Sequence, residues 1–203
     1  MQKIFITLLI VSAICTTALA QTKGNTEFGV NIGLNGATVT TEQYTNTSYR
    51  TGFNAGVSGE YYFSDRWGVK VKLSYEQKGW NDGSIGYGND PSFSTNYKLD
   101  YITIPIMANW HFGRTRNWYL NFGPYVGILI NAKLTASADD AKALFNTVDG
   151  GLTAGIGIKF PVAPHTRLFI EINGQGGASD IVKNNTDAAL RNSVSQINVG
   201  LNF

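Results

Sequence analysis

The chain has 203 residues, a formal net charge of +2 and only 15% charged residues, where an ordinary soluble domain has about 25%. So small a net charge gives no field for a nucleic-acid partner, and after the first twenty residues no stretch is apolar enough for a transmembrane helix. A chain poor in charge, with 23 glycines, 10 tyrosines and 11 phenylalanines, suggests β-structure in an unusual solvent.

Residues 1–20 read MQKIFITLLIVSAICTTALA. Lys3, an apolar run to about Ile14 and Ala18-Leu19-Ala20 form the pattern of a secretory leader cleaved before Gln21. Ile14 is a poor residue to precede a lipidated Cys15, which argues against a lipoprotein signal. Cys15 is the chain's one cysteine, so residues 21–203 offer no disulfide, thiol nucleophile or cysteine metal site.

From residue 21 onward, alternating segments follow one another, and period two predicts strands. Thr26–Val39 sets Phe28, Val30, Ile32 and Leu34 against Gly29, Asn31, Gly33 and Asn35. Thr51–Phe63 and Trp67–Trp80 repeat the pattern, with Glu60 on the mixed face of the first and Lys70, Lys72, Glu76 and Lys78 on that of the second. Lys98–Phe112 carries Ile102, Ile104, Ile106 and Trp110 on its apolar face, and Trp118–Ile130 carries Trp118, Leu120, Phe122 and Val126. Gly150–Phe160, Arg167–Ala178 and Asn192–Phe203 complete about eight predicted strands, each long enough to cross a bilayer at a tilt. Pro105 and Pro124 interrupt two of them, and a proline in a ladder is expected at a bulge.

The connections alternate in length. Ser64–Arg66, Gly113–Asn117 and Pro161–Thr166 are short, whereas Thr40–Arg50, Asn81–Tyr97, Ala132–Asp149 and Ser179–Arg191 are long and polar. Short turns on one side and long loops on the other fit an outer-membrane barrel with periplasmic turns and extracellular loops. The charged faces decide which side meets lipid. A basic residue at the midplane costs about 2–4 kcal/mol, so Glu60, Lys70, Lys72, Lys159 and Glu171 must point inward and the apolar stripes outward. The fold expected is an all-β, eight-stranded, antiparallel up-and-down transmembrane barrel.

Trp67, Trp110 and Trp118 lie on apolar faces beside short turns, at the level of Phe63, Phe112, Phe160 and Phe203. They read as the periplasmic aromatic girdle, with Trp80, Tyr97 and Tyr101 as candidates for an upper one. Inside, a hairpin through Ser64–Arg66 puts Glu60 opposite Lys70 with Lys72 diagonal, and a Phe160–Leu168 pairing puts Lys159 diagonal to Glu171. The expected result is a paired lumen network that plugs the barrel, with Tyr62, Tyr119, Tyr125 and Phe169 adding bulk.

Little else suggests chemistry. His111 faces inward with no Ser–acid partner set at a lipid-facing surface, and is expected to bond a neighbour such as Tyr119. Asp82 and Asp90 lie in a Gly-rich loop without EF-hand spacing. Ser137–Phe145 has the form of a short helix with Ser137 as N-cap. No metal or other cofactor is expected.

The segments LDYITIPIMANWHFG, WYLNFGPYVGILINAK, GGLTAGIGIKF, LFIEINGQGGASDI and SQINVGLNF together resemble the outer-membrane β-barrel domain family of Bacteroidota, often called porin-family proteins. The resemblance covers about Asn25 to Phe203 and is most specific at Ile104–Ile106 and Gly123–Gly127. Thr103 stands where that family often has Glu. The resemblance implies an outer-membrane location, and a terminal Phe203 similar to the signal read by the outer-membrane insertion machinery. It implies no chemistry. The function expected is a non-enzymatic barrel in outer-membrane lipid, presenting four extracellular loops for envelope integrity or for a surface partner that the sequence does not identify. A passive small-solute pore and a lipid-modifying enzyme are the alternatives.

Overall fold

The structure is a computed structural model that describes residues 23–42, 47–83, 95–135 and 141–203. The expected leader, Asp90 and the proposed cap Ser137 lie outside the described residues.

Eight strands form one closed barrel: β1 Thr26–Thr40, β2 Ser48–Tyr62, β3 Trp67–Gly83, β4 Thr95–Phe112, β5 Trp118–Leu134, β6 Val148–Ala163, β7 Thr166–Gly177 and β8 Arg191–Asn202. Each is antiparallel to its sequence neighbours, and β1 closes on β8. Phe203 finishes the seam: its N–H donates to the Phe28 carbonyl at 2.7 Å, and Phe28 N–H donates back at 3.1 Å. Closure leaves no sheet edge with unpaired backbone groups, which hydrocarbon demands.

Side chains alternate as period two requires. Outside, Ile32 is 65% exposed, Leu152 68% and Ile197 61%; inside, Lys159, His111 and Tyr119 are 0% exposed. A soluble barrel would bury the apolar set. This one turns it outward all round the wall, the arrangement that lipid stabilises and water does not.

The short-turn end carries a row of outward aromatics. Trp67 pairs with Trp110 across β3 and β4, and Phe112 with Trp118 across β4 and β5. Their rings follow one another at 6.1 Å (Trp67–Trp110), 5.2 Å (Trp110–Phe112) and 6.3 Å (Phe112–Trp118), all nearly parallel.

The upper girdle is corrected. Trp80, Tyr97 and Tyr101 are 1%, 4% and 0% exposed and point into the barrel. Trp80 shares the inward face of β3 with Lys78, and the two tyrosines share that of β4 with Thr103 and His111. They pack with Val39, Leu99, Leu129, Ala132, Phe145 and Ile181 into an apolar core at the long-loop end. That core is why β3, β4 and β5 run to 17, 18 and 17 residues, beyond the predicted bounds. Their upper ends enclose an apolar interior at the long-loop end. Gly79, at φ +113°, sits where any Cβ would strike the Tyr97 carbonyl, so only glycine lets β3 and β4 stay paired there.

The prolines sit in gaps without bulges. The β3–β4 ladder lacks pairs between Val71/Ile106 and Ser74/Thr103, beside Pro105, and its register is the same on both sides. The β4–β5 ladder skips in the same way beside Pro124, between Pro105/Tyr125 and Ala108/Phe122. Proline removes a donor without adding a residue, so the pairing lapses and the register holds. Register shifts fall elsewhere, between Tyr49/Asn54, Trp80/Gly83, Asp100/Tyr101 and Pro161/Ala163.

Candidate functional site in the barrel lumen

Among the described residues, the lumen gathers most of the buried charged side chains, and it is built in layers. At the short-turn end, Lys159 from β6 forms ion pairs with Glu27 of β1 and, at 3.5 Å, with Glu60 of β2. Its ammonium also donates to the Tyr62 hydroxyl at 3.1 Å. Arg167 closes on the second Glu27 oxygen at 3.4 Å. The other Glu60 oxygen lies 2.7 Å from His111 Nε2. His111 was expected against Tyr119; its bonded partner is Glu60, and the Tyr119 ring lies alongside at 5.8 Å.

One layer higher, Lys70 of β3 meets Glu171 of β7 at 3.4 Å. The same Glu171 oxygen accepts from the Tyr119 hydroxyl at 2.9 Å and the Asn121 amide at 2.7 Å. Tyr119 fits because residue 157, opposite it on β6, is glycine: a Cβ there would lie 2.3 Å from the ring. Lys72 is buried in this layer beside Gly56, and no ion pair to it forms among the described residues.

Above that, Glu76 accepts from Ser74 (3.0 Å), Thr103 (3.1 Å) and Gln175 (3.0 Å). Lys78 lies 3.5 Å from both Glu76 and Asp149, with its ammonium over the rings of Tyr101 and Tyr125 at 5.0 and 4.7 Å. Asp149 takes further bonds from Tyr125 (3.2 Å), Asn192 (2.9 Å) and Ser179 (3.1 Å). Thr103, standing where a family carboxylate is often found, thus serves as a donor to a carboxylate from the neighbouring strand.

The predicted register along the wall holds, but the ion pairs expected from it are corrected. Glu60 and Lys70 are Cα partners, as are Phe160 and Leu168. Yet Glu60 binds Lys159 and His111, Lys70 binds Glu171, and Lys159 turns to Glu27 and Glu60 instead of Glu171. In an eight-stranded ring β2 faces β6 and β3 faces β7. A barrel this narrow lets long side chains reach the far wall, and counting along one wall misses such partners. The network also includes Glu27, Glu76, Lys78, His111, Asp149 and Arg167. The sequence pattern starts this strand at Gly150 and leaves Asp149 in the loop; β6 begins at Val148, and parity turns Asp149 inward.

Two loop segments lie over the long-loop end. Phe145 bridges Val182, Asn146 N–H donates to Ile181 at 2.9 Å, and Lys183 N–H donates to Leu144 at 2.9 Å. The Asn146 amide adds bonds to the Asp180 and Val182 carbonyls. Phe145 meets the stacked Trp80 and Tyr97 rings edge-on, both at 6.1 Å. Of the expected helical turns over Ser137–Phe145, residues 137–140 lie outside the described residues, and the described part holds a 3-10 turn at Lys142–Leu144. Asp82, one residue before the end of β3, has φ 58° and its N–H donates to the Asn96 side chain.

The sequence matches the family described as outer membrane protein beta-barrel domain over residues 19–182. Among solved structures, the outer membrane protein OprG from Pseudomonas aeruginosa is similar, with TM-score 0.54, 13% identity and coverage of 91% of this chain and 98% of that one. Neisserial surface protein A is similar with TM-score 0.50 and 16% identity, covering 86% of this chain and 95% of that one. These likenesses are of fold. No curated protein matches the sequence.

Proposed function

We propose that this chain, which belongs to the outer membrane protein beta-barrel domain family, works as a closed, non-enzymatic barrel of the bacterial outer membrane that holds an ordered loop surface outside the cell. The observation that carries the reading is the filled lumen. Lys159, His111, Tyr119, Asn109 and Thr103 have no surface that a water molecule can touch. A solute would have to break buried ion pairs at several successive levels, each costly to separate.

The same burial speaks against catalysis at the His111–Glu60 pair, since a substrate has no route to it. The four long loops would lie outside and the short turns in the periplasm. The loop segments 141–147 and 178–190, tied to each other and seated on the apolar core, offer a shaped surface for envelope integrity or for a partner. The final strand, ending in Phe203 within the β1–β8 seam, is the segment we assign to the insertion machinery.

Solute flux tests the reading. Proteoliposomes of the refolded protein should retain small sugars as well as empty liposomes do. Rapid, protein-dependent release would favour the pore instead. Unchanged phospholipid and glycolipid in the same vesicles after long incubation is the matching test against an enzyme.

A further inference from the structure

The outer wall carries one arrangement that its own residues do not explain. Lys98 of β4 and Lys133 of β5 are direct Cα partners. Both are exposed on the outward face, since their neighbours Leu99 and Ala132 are fully buried in the lumen. Like charges directly opposite across two strands repel. Neither lysine side chain has a hydrogen bond or ion pair among the described residues; the nearby Asp100 carboxylate accepts from the Asn131 amide at 2.9 Å and forms no ion pair with either lysine. Lys142 lies on the other, β6-facing edge of β5, where it donates to the Ile130 carbonyl at 3.5 Å, so it is not part of the pair. Directly below lie the outward Ile102, Ile128 and Ile130.

Height fixes the kind of ligand. Fourteen residues separate Lys98 from Phe112, at the lower girdle. At a rise of about 3.4 Å per residue and a tilt of about 40°, Lys98 stands about 35 Å above that girdle. The apolar band of such a barrel is about 25 Å tall. The lysine pair therefore projects into the headgroup layer just above the hydrocarbon, with apolar side chains beneath it for acyl chains.

We infer that Lys98 and Lys133 form a binding site for the phosphate of a phosphorylated glycolipid in the outer leaflet. One phosphate between the two ammoniums turns the repulsion into two charge-assisted contacts. The inference rests on the proposed orientation, whose failure would show in surface labelling and not in lipid binding.

The test uses the full refolded protein, monophosphoryl lipid A as the probe and native mass spectrometry as the readout. The wild type should retain one lipid A. The Lys98→Gln/Lys133→Gln variant should bind it about tenfold more weakly or worse, as expected for two basic contacts removed. An Arg66→Gln/Arg114→Gln variant, altered at the opposite end of the barrel, should bind like the wild type. Equal binding by the lysine variant would overturn the site. Full displacement of the lipid by millimolar inorganic phosphate would overturn its assignment to a lipid. Stability gives a second reading with a sign. In phosphatidylcholine nanodiscs Lys133→Gln should raise the unfolding midpoint by relieving repulsion, and in nanodiscs containing lipid A it should lower it. The same sign in both would also sink the proposal.

Discussion

Glu60 and Lys70 stand directly opposite on β2 and β3, yet each sends its charge to the far wall, Glu60 to Lys159 and Lys70 to Glu171. The barrel is thus braced across its diameter, and the pairs that matter are not the pairs of the ladder. A double-mutant cycle on Lys70 and Glu171 should give a coupling of about 1–3 kcal/mol, and one on Lys70 and Glu60 distinctly less. Glu171→Ala alone should cost about 3–5 kcal/mol, because it strands the Lys70 ammonium in the lumen. Urea unfolding in lipid vesicles reads both. Equal couplings would return the pairing to the wall.

Much of this was legible in the residues. Alternation placed all eight strands, and the inward parity of Glu60, Lys70, Lys72, Lys159 and Glu171 followed from the cost of charge in lipid. Trp67, Trp110 and Trp118 were legible for the same reason: they share the apolar face and sit next to the short turns. Partners were not legible, since register describes neighbours along the wall and says nothing of what lies across the ring. The apolar core at the long-loop end was missed because Trp80, Tyr97 and Tyr101 look like interface aromatics in composition. Parity, applied strictly, turns all three inward.

That correction can be tested by fluorescence. Variants retaining a single tryptophan should divide into two groups in bilayers with brominated acyl chains. Trp67, Trp110 and Trp118, on the outer wall, should be strongly quenched. Trp80, 1% exposed and stacked on Tyr97 at 4.4 Å, should not. Quenching of Trp80 to the level of the others would restore it to an upper girdle.

The fit of Tyr119 over Gly157 makes a packing prediction. Gly157→Ala places a methyl 2.3 Å from the ring and should destabilise the barrel by about 1–3 kcal/mol. Combined with Tyr119→Ala the two costs should fall short of their sum, because the second change removes what the methyl strikes. Strict additivity would mean that the ring and the glycine are not in contact.

Orientation can be read without a background signal, since the chain's single cysteine lies within the expected leader at Cys15. A membrane-impermeant maleimide should label Asp187→Cys, in the exposed loop after β7, on intact cells. Asp65→Cys, in the turn between β2 and β3, should label only after the outer membrane is opened. The reverse pattern would invert the barrel and move Lys98 and Lys133 to the periplasmic side.

The central claim is that the lumen is closed by its own charges, and conductance tests it most directly. Refolded wild-type protein in a planar bilayer should produce no stable single-channel steps. A Glu60→Ala/Glu171→Ala variant, which removes a carboxylate from each of two cross-lumen braces, should admit ions at least intermittently. Reproducible, long-lived steps from the wild type would contradict the account.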